Sequence, residues 1–243
     1  MRQPILRPGS SGPLVRDLQL ALNARLNPSP RLTASGLFDA QTGRAIRAFQ
    51  LSNWLEQDGI AGPCTMDALY ETEQRAPILH NVRLLAQPTP TTCWAAATAM
   101  VKGSTVQVIR MATPQKLLGD DGGLVNESEH GARLDVHRAF ARCHGLNYHA
   151  PQSWSVGGLI ALLGRGPLLM EMLNDPRSYR QGLGSGGHYY VIVGARGSHG
   201  SDGRTTTLRL YDPAPPNQGD IFSRGHAAML RDVPLGTYGI MTL

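Results

Sequence analysis

The sequence predicts two unlike parts. An all-α three-helix bundle covers residues 1–76 and, after a connector at 77–83, an α+β domain with an antiparallel sheet covers residues 84–243. Three observations carry this. A turn-plus-helix pattern repeats within the first part. Helix-like segments crowd the front of the second part, and strand-like runs crowd its end. That order suits helices packed on an antiparallel sheet rather than alternating βαβ units.

In the first part, Ser35-Gly36-Leu37-Phe38-Asp39-Ala40-Gln41-Thr42-Gly43-Arg44-Ala45-Ile46 aligns with Asp58-Gly59-Ile60-Ala61-Gly62-Pro63-Cys64-Thr65-Met66-Asp67-Ala68-Leu69. Each copy reads as a glycine turn followed by a helix, with Thr42 and Thr65 at the N-cap or first-turn position. Ala45, Ile46 and Phe49 then recur at helical spacing. Earlier, Ser10-Ser11-Gly12-Pro13 opens a helix carrying Val15, Leu18 and Leu22 on one face, which Asn23 to Pro30 ends. With Leu6-Arg7-Pro8-Gly9, Leu18-Gln19, Gly36-Leu37-Phe38-Asp39, Phe49-Gln50 and Asp58 to Thr65, this segment resembles the three-helix peptidoglycan-binding domain of cell-wall hydrolases. Cys64 departs from that family's pattern. The resemblance implies wall binding, and the loop bearing Asp58, Gly59 and Thr65 is the candidate contact. The alternative is a ligand-free bundle, since most motif residues are structural.

Glu71 to Arg83 reads as a helix tail and connector broken by Pro77. The second part then predicts helices after Pro90, at about Ala132 to His144 and at about Ser155 to Gly164. Strands follow at Pro167 to Met172, Tyr189 to Val193, Thr206 to Tyr211 and Tyr238 to Leu243.

Composition narrows the function classes. The 243 residues are 41% hydrophobic and 17% charged, a globular mixture rather than a disordered one. The net charge of +5 comes from scattered single arginines, with no basic run or aromatic platform to track a phosphate backbone. Residues 1–76 hold 8 basic and 7 acidic side chains against 15 and 11 in the remainder, so the excess sits on the second part. No window approaches the roughly 18 apolar residues of a membrane span. Met1 to Leu6 lacks the apolar core of a secretory signal. If the protein acts outside the cytoplasm, the expectation is export without a recognisable signal peptide.

Three cysteines exclude a disulfide framework. Cys93 stands apart because prolines hold Gln87-Pro88-Thr89-Pro90-Thr91-Thr92 extended and the Ala-rich run after it favours a helix. A thiol at a helix N-terminus meets orphan N–H groups and the positive dipole end, which favour the thiolate. Downstream, Gly186-Gly187-His188 enters an apolar strand after a pliable loop at Gln181 to Gly187, and Asp212 ends another strand. Paired, these strands bring Asp212 to one imidazole nitrogen of His188 while the other faces Cys93. Gln87, six residues before Cys93, supplies with the Cys93 N–H an oxyanion site. Cys143, on a stripe with Val136, Ala139 and Phe140, reads as core, and Cys64 reads as buried rather than bridged. His130, His137 and His144 recur every seven residues without completing a ligand set, so they read as a polar face and no metal or cofactor is expected. Glu171 reads as an ion-paired structural residue.

The Gln-x5-Cys-Trp spacing and the order Cys, His, Asp resemble the papain-like cysteine peptidases. The compact bacterial branches, which include bacteriocin-leader peptidases and a plant-pathogen effector protease family, are the most similar. Thr91-Thr92 before the cysteine and Asp as third member depart from papain itself. The resemblance implies a hydrolase in which Cys93, His188, Asp212 and Gln87 act together on an amide, with peptidoglycan peptides as the expected substrate. The architecture fits an antibacterial effector acting in the periplasm or wall of a target cell, with a cognate immunity protein in the producer. Two alternatives stand beside it: a protease, deamidase or transglutaminase acting on a protein in a target cell's cytoplasm, and a non-catalytic wall-binding protein.

Overall fold

The computed structural model describes residues 5–72, 76–125, 136–173, 187–197, 203–233 and 238–243. They form two compact units. One comprises residues 1–77 with 196–208 and 223–227, and the other 78–195, 209–222 and 228–243.

The first unit is built on helices α1 (Pro13–Arg25), α2 (Ala40–Ser52) and α3 (Pro63–Leu69). Pro13 and Pro63 open their helices, where the missing N–H costs nothing. Asp39 caps α2 by accepting from the Thr42 N–H, and Thr42 lies in the first turn, as its spacing predicts. Val15, Leu18 and Leu22 of α1 meet Ala45, Ile46 and Phe49 of α2 in one core with Phe38, Met66 and Leu69.

The repeat has a physical basis in two buried glutamines. Gln19 accepts from the Gly36 N–H at 3.0 Å and donates to the Leu37 carbonyl at 2.9 Å and Thr42 Oγ1 at 3.0 Å. In the second copy, Gln50 accepts from the Gly59 N–H at 2.9 Å and donates to the Ile60 carbonyl at 3.0 Å and Thr65 Oγ1 at 3.1 Å. Each clamp holds the glycine turn that follows it in sequence, with Gly36 and Gly59 at φ +75° and +74°. Cys64 is half-buried, and its thiol donates to the Arg204 carbonyl at 3.2 Å within this unit.

The second unit packs helices on most of a seven-stranded antiparallel sheet, of which residues 196–197, 206–208 and 223–225 are counted with the first unit. Its strands are β1 (Ile78–Leu79), β2 (Asn147–Gln152), β3 (Leu168–Leu173), β4 (Gly187–Gly197), β5 (Thr206–Asp212), β6 (Asp220–Gly225) and β7 (Tyr238–Thr242). They run in the order β2-β7-β3-β4-β5-β6, with β1 paired to β4. The segment read as a connector therefore contributes a strand, and Ile78 lies opposite Ala195. β2 and β6 were not expected; Asn147–Gln152 alternates poorly and lies at the sheet's edge. The helices are α4 (Cys93–Lys102), α5 (Val106–Ala112), α6 (Val136–Cys143), α7 (Val156–Leu163) and α8 (His226–Asp232). The sequence signalled neither α5 nor α8, each of seven residues and too short to show a period.

Every residue of α4 from Cys93 to Val101 is buried, so the Ala-rich run becomes a central helix rather than a surface one. Gly103, at φ +60°, ends it in the left-handed conformation that a glycine adopts cheaply. The expected start of α6 at about Ala132 lies outside the described residues. Two readings on α6 need correcting. Cys143 is exposed, not core, and His144 is buried rather than part of a polar face. The buried stripe follows Val136, Phe140 and His144 at i, i+4 and i+8, which turns Cys143 to the flank. His144 bonds Thr113 Oγ1 at 2.8 Å and meets the Phe140 ring edge-on.

Candidate active site

The nucleophile's position is set by the turn that precedes it. Gln87 is fastened at both backbone ends to the loop after β5: its N–H donates to the Pro213 carbonyl and its carbonyl accepts from the Asn217 N–H, both at 2.9 Å. Thr92 then begins α4, and Cys93 is its first residue, 5% exposed. The next side chain, Trp94, anchors the helix by donating from its indole to the Gly122 carbonyl at 3.1 Å and packing edge-on against Phe140. Thr91 Oγ1 donates to the Asp121 carbonyl at 2.7 Å. The turn at Gly119 to Gly123 is thus tied to residues on both sides of Cys93.

His188 is the second residue of β4, opposite Met172 of β3. It is buried, with Nε2 donating to Asp212 Oδ1 at 2.6 Å. Cys93 also acts on the ring, raising its value together with Asp212. Asp212 ends β5 and accepts a second bond, from the Ala214 N–H at 2.7 Å, which fixes the carboxylate against its own loop. The structure therefore brings three of the expected residues into one chain, Cys93 to His188 to Asp212. Burial alone would push the imidazole toward neutrality. Asp212 and Cys93 together outweigh it, and the His188 value rises to about 9.

Gln87 is buried with the chain but is placed differently from the expectation of a freely offered amide. Its Nε2 donates one hydrogen to the Thr89 carbonyl at 2.9 Å, and among the described residues its Oε1 has no hydrogen-bond partner. One Nε2 hydrogen remains for a ligand.

Two residues that the sequence did not single out complete the surroundings. Tyr190 sits edge-on to the His188 ring, centroids 4.5 Å apart, and its phenol is pushed up to about 12 by burial and by the charges of Asp212 and Cys93. Tyr189 points to the other sheet face, where its hydroxyl lies 3.1 Å from His137 Nδ1. Glu171, opposite Tyr189 in β3, holds its Oε1 3.1 Å from the same nitrogen, a contact that is an ion pair when His137 is protonated. A period-two count from His188 would have put Tyr190 on the histidine's face.

Of the remaining candidates, His130 and Gln181 to Gly186 lie outside the described residues. Asp58 accepts from the Gln50 amide at 2.7 Å and the Ile60 N–H at 2.8 Å, Gly59 donates to Gln50, and Thr65 is buried on the same glutamine. All three thus serve the clamp. Among the described residues no group of three or more His, Cys, Asp or Glu is placed to hold a metal. No helix there is long and apolar enough to cross a membrane.

A thiol at the head of a central helix, facing a His–Asp pair on neighbouring strands of an antiparallel sheet, is the arrangement of a papain-like cysteine protease. The family model described as papain-like cysteine protease AvrRpt2 matches residues 75–222, and the chain belongs to that family. Residues 11–69 match the model of a peptidoglycan binding domain, so a peptidoglycan-binding domain precedes the protease domain.

Two curated proteins are similar. The N-acetylmuramoyl-L-alanine amidase CwlL of Bacillus licheniformis is 28% identical over 149 residues, 59% of this chain and 41% of that protein. The zinc D-Ala-D-Ala carboxypeptidase of Streptomyces albus G is 37% identical over 68 residues, 28% of this chain and 27% of that one. The chain spans less than half the length of either. Among solved structures, a Burkholderia AP3 phage endolysin is similar over 45% of this chain and 38% of its own, at 24% identity and a TM-score of 0.27.

Proposed function

We propose that the protein is a cysteine hydrolase that cleaves an amide bond in peptidoglycan peptides, with residues 1–76 holding the wall and residues 84–243 doing the chemistry. The observation that carries this is the Cys93–His188–Asp212 chain, in which the histidine's proton is retained to about pH 9. A proton retained on the imidazole is one that His188 can deliver to a leaving nitrogen beside the Cys93 sulfur.

The steps follow. The Cys93 sulfur attacks the carbonyl carbon, forming a C–S bond as the carbonyl π electrons move to oxygen. The Cys93 N–H and the remaining Gln87 hydrogen receive that oxyanion. His188 gives its proton to the leaving nitrogen as the C–N bond breaks, and an amine departs. His188 then takes a proton from water, whose oxygen displaces the sulfur and releases the acid. Asp212 keeps the imidazole in one tautomer and orientation throughout. The wall as substrate is supported by the peptidoglycan-binding domain and the similarity to an amidase. Use as an exported antibacterial effector, acting in the periplasm or wall of a target cell, with an immunity protein in the producing cell, belongs to the same proposal.

The family's description as a protease favours a second reading, in which a protein is cut and the first domain serves docking. Incubation with peptidoglycan sacculi, beside Cys93→Ala, distinguishes the two by mass spectrometry of released fragments. New free amines at one stem-peptide or cross-bridge position, absent with Cys93→Ala, are expected. Intact sacculi together with new protein N-termini in a cell lysate would establish the second reading. Equal activity of Cys93→Ala would end both.

A further inference from the structure

Thr92 occupies the N-cap position of α4, yet its hydroxyl makes no capping bond to the helix. A threonine there ordinarily accepts from the N–H groups of the first turn. The hydroxyl is turned instead to Thr89: it accepts from the Thr89 N–H at 3.1 Å and donates to the Thr89 carbonyl at 3.0 Å. That same carbonyl accepts the Gln87 amide at 2.9 Å. Thr92 is 1% exposed, so these bonds are made away from water, where a displaced polar group is costly.

We infer that Thr92 is a positioning residue for the oxyanion site, setting the Gln87 amide through the Thr89 carbonyl while leaving the first N–H groups of α4 free for the substrate oxygen. The inference rests on the proposed catalytic reading. Its logic is geometric. The carbonyl is held from Thr92 by the hydroxyl at 3.0 Å and by the longer backbone N–H bond at 3.3 Å, and it receives the Gln87 Nε2 as well, so one Gln87 hydrogen is committed and the direction of the other is fixed. Among the described residues, the buried Oε1 of Gln87 has no partner that would orient the amide from its other end. Alignment of the carboxamide therefore depends on the Thr89 carbonyl. A helix N-terminus left uncapped by its own threonine keeps its partial positive charge available to a developing oxyanion. Replacing the hydroxyl by a methyl group removes the shorter of the two Thr92 bonds, leaves the carbonyl on the 3.3 Å backbone bond alone and so loosens the aim of the Gln87 donor, with the Cys93 sulfur itself untouched.

Two small reagents separate these effects. p-Nitrophenyl acetate acylates Cys93 through a tetrahedral oxyanion: the sulfur bonds the carbonyl carbon and p-nitrophenolate leaves. Iodoacetamide alkylates the same sulfur by displacing iodide, with no oxyanion. The ratio of the two rates reports the oxyanion site and cancels any change in thiolate supply. Thr92→Val is expected to lower that ratio about 10-fold or more, toward the roughly 10²-fold or larger loss expected of Gln87→Ala, while the iodoacetamide rate stays at the wild-type level. Thr92→Ser, which restores the hydroxyl, is expected to restore the ratio. Thr92→Ala replaces the valine variant should that fail to fold. A wild-type ratio in the hydroxyl-less variant, or a parallel fall in both rates, overturns the inference and leaves the catalytic reading standing. A wild-type protein that forms no acetyl thioester at Cys93 overturns both.

Discussion

Gln19 and Gln50 in the helical bundle and Gln87 in the protease domain are buried alike, at 1%, 1% and 2% exposure, but their carboxamides are used differently. In the bundle both ends of each amide are engaged, the oxygen by a glycine N–H and the nitrogen by a carbonyl and a threonine hydroxyl. In Gln87, among the described residues, the nitrogen makes one bond and the oxygen none. Buried polar groups are nearly always satisfied, because each orphan costs on the order of 1–3 kcal/mol. A saturated glutamine is part of the framework, whereas an under-used one of equal burial marks a place kept open for something else. Environment, not residue type, separates the two.

The difference is tested most sharply by Gln87→Ala. With an oxyanion donor removed, kcat should fall about 10²- to 10³-fold. The melting temperature should hardly move, since only the bond to the Thr89 carbonyl is lost. A variant that melts early with kcat intact would make Gln87 another framework glutamine and erase the contrast.

Next in size is the pH response, which belongs to one side of the comparison only. Below about 9 His188 keeps the proton that the leaving nitrogen needs, and above it kcat/KM should fall tenfold per pH unit. The folded value lies above the ordinary 6.5, so the associated stability is fully present below 6.5 and is lost as the pH rises through 9. Asp212→Asn removes a charge that raises the histidine's value, so the alkaline limb should move to lower pH. A pH–rate profile with its limb unmoved in that variant would show that Asp212 does not act on His188.

Much of this was legible in the sequence for definite reasons. The repeat gave away the bundle because each glycine turn is held by the same kind of glutamine clamp and so needs its glycine and threonine at one spacing, six residues apart in both copies, although the glutamines themselves lie at different distances upstream. Cys93 was legible because prolines before it and alanines after it leave one position for a helix start. His188 and Asp212 could be read from strand ends. Less was legible where the reason is tertiary. The short α5 and α8 and the edge strand β2 carry too little periodicity to declare themselves, and Cys143 was misjudged because three residues and four residues forward both look like one stripe until packing chooses. The under-used amide of Gln87 has no sequence signal at all, since it depends on which way Thr92 and Thr89 turn.

The smallest effect on the rate is expected in the bundle, and it completes the comparison from the other side. Gln50→Ala leaves the Gly59 N–H, the Ile60 carbonyl and the Thr65 hydroxyl without their buried partner. Partial relief by entering water and by the existing Thr65 to Ile60 bond at 3.3 Å keeps the cost below a simple sum. About 3 kcal/mol of stability is the expected loss, with about 1 kcal/mol for Thr65→Val, which removes one acceptor from Gln50 and the long bond to the Ile60 carbonyl. Hydrogen exchange on the full chain reads this directly, as lost protection in α2 and α3 with protection in α4 unchanged. Acylation of Cys93 by p-nitrophenyl acetate should stay at the wild-type rate in both variants. An altered acylation rate would mean that the clamp reaches the active site, and a glutamine satisfied at every atom could then no longer be taken as framework alone.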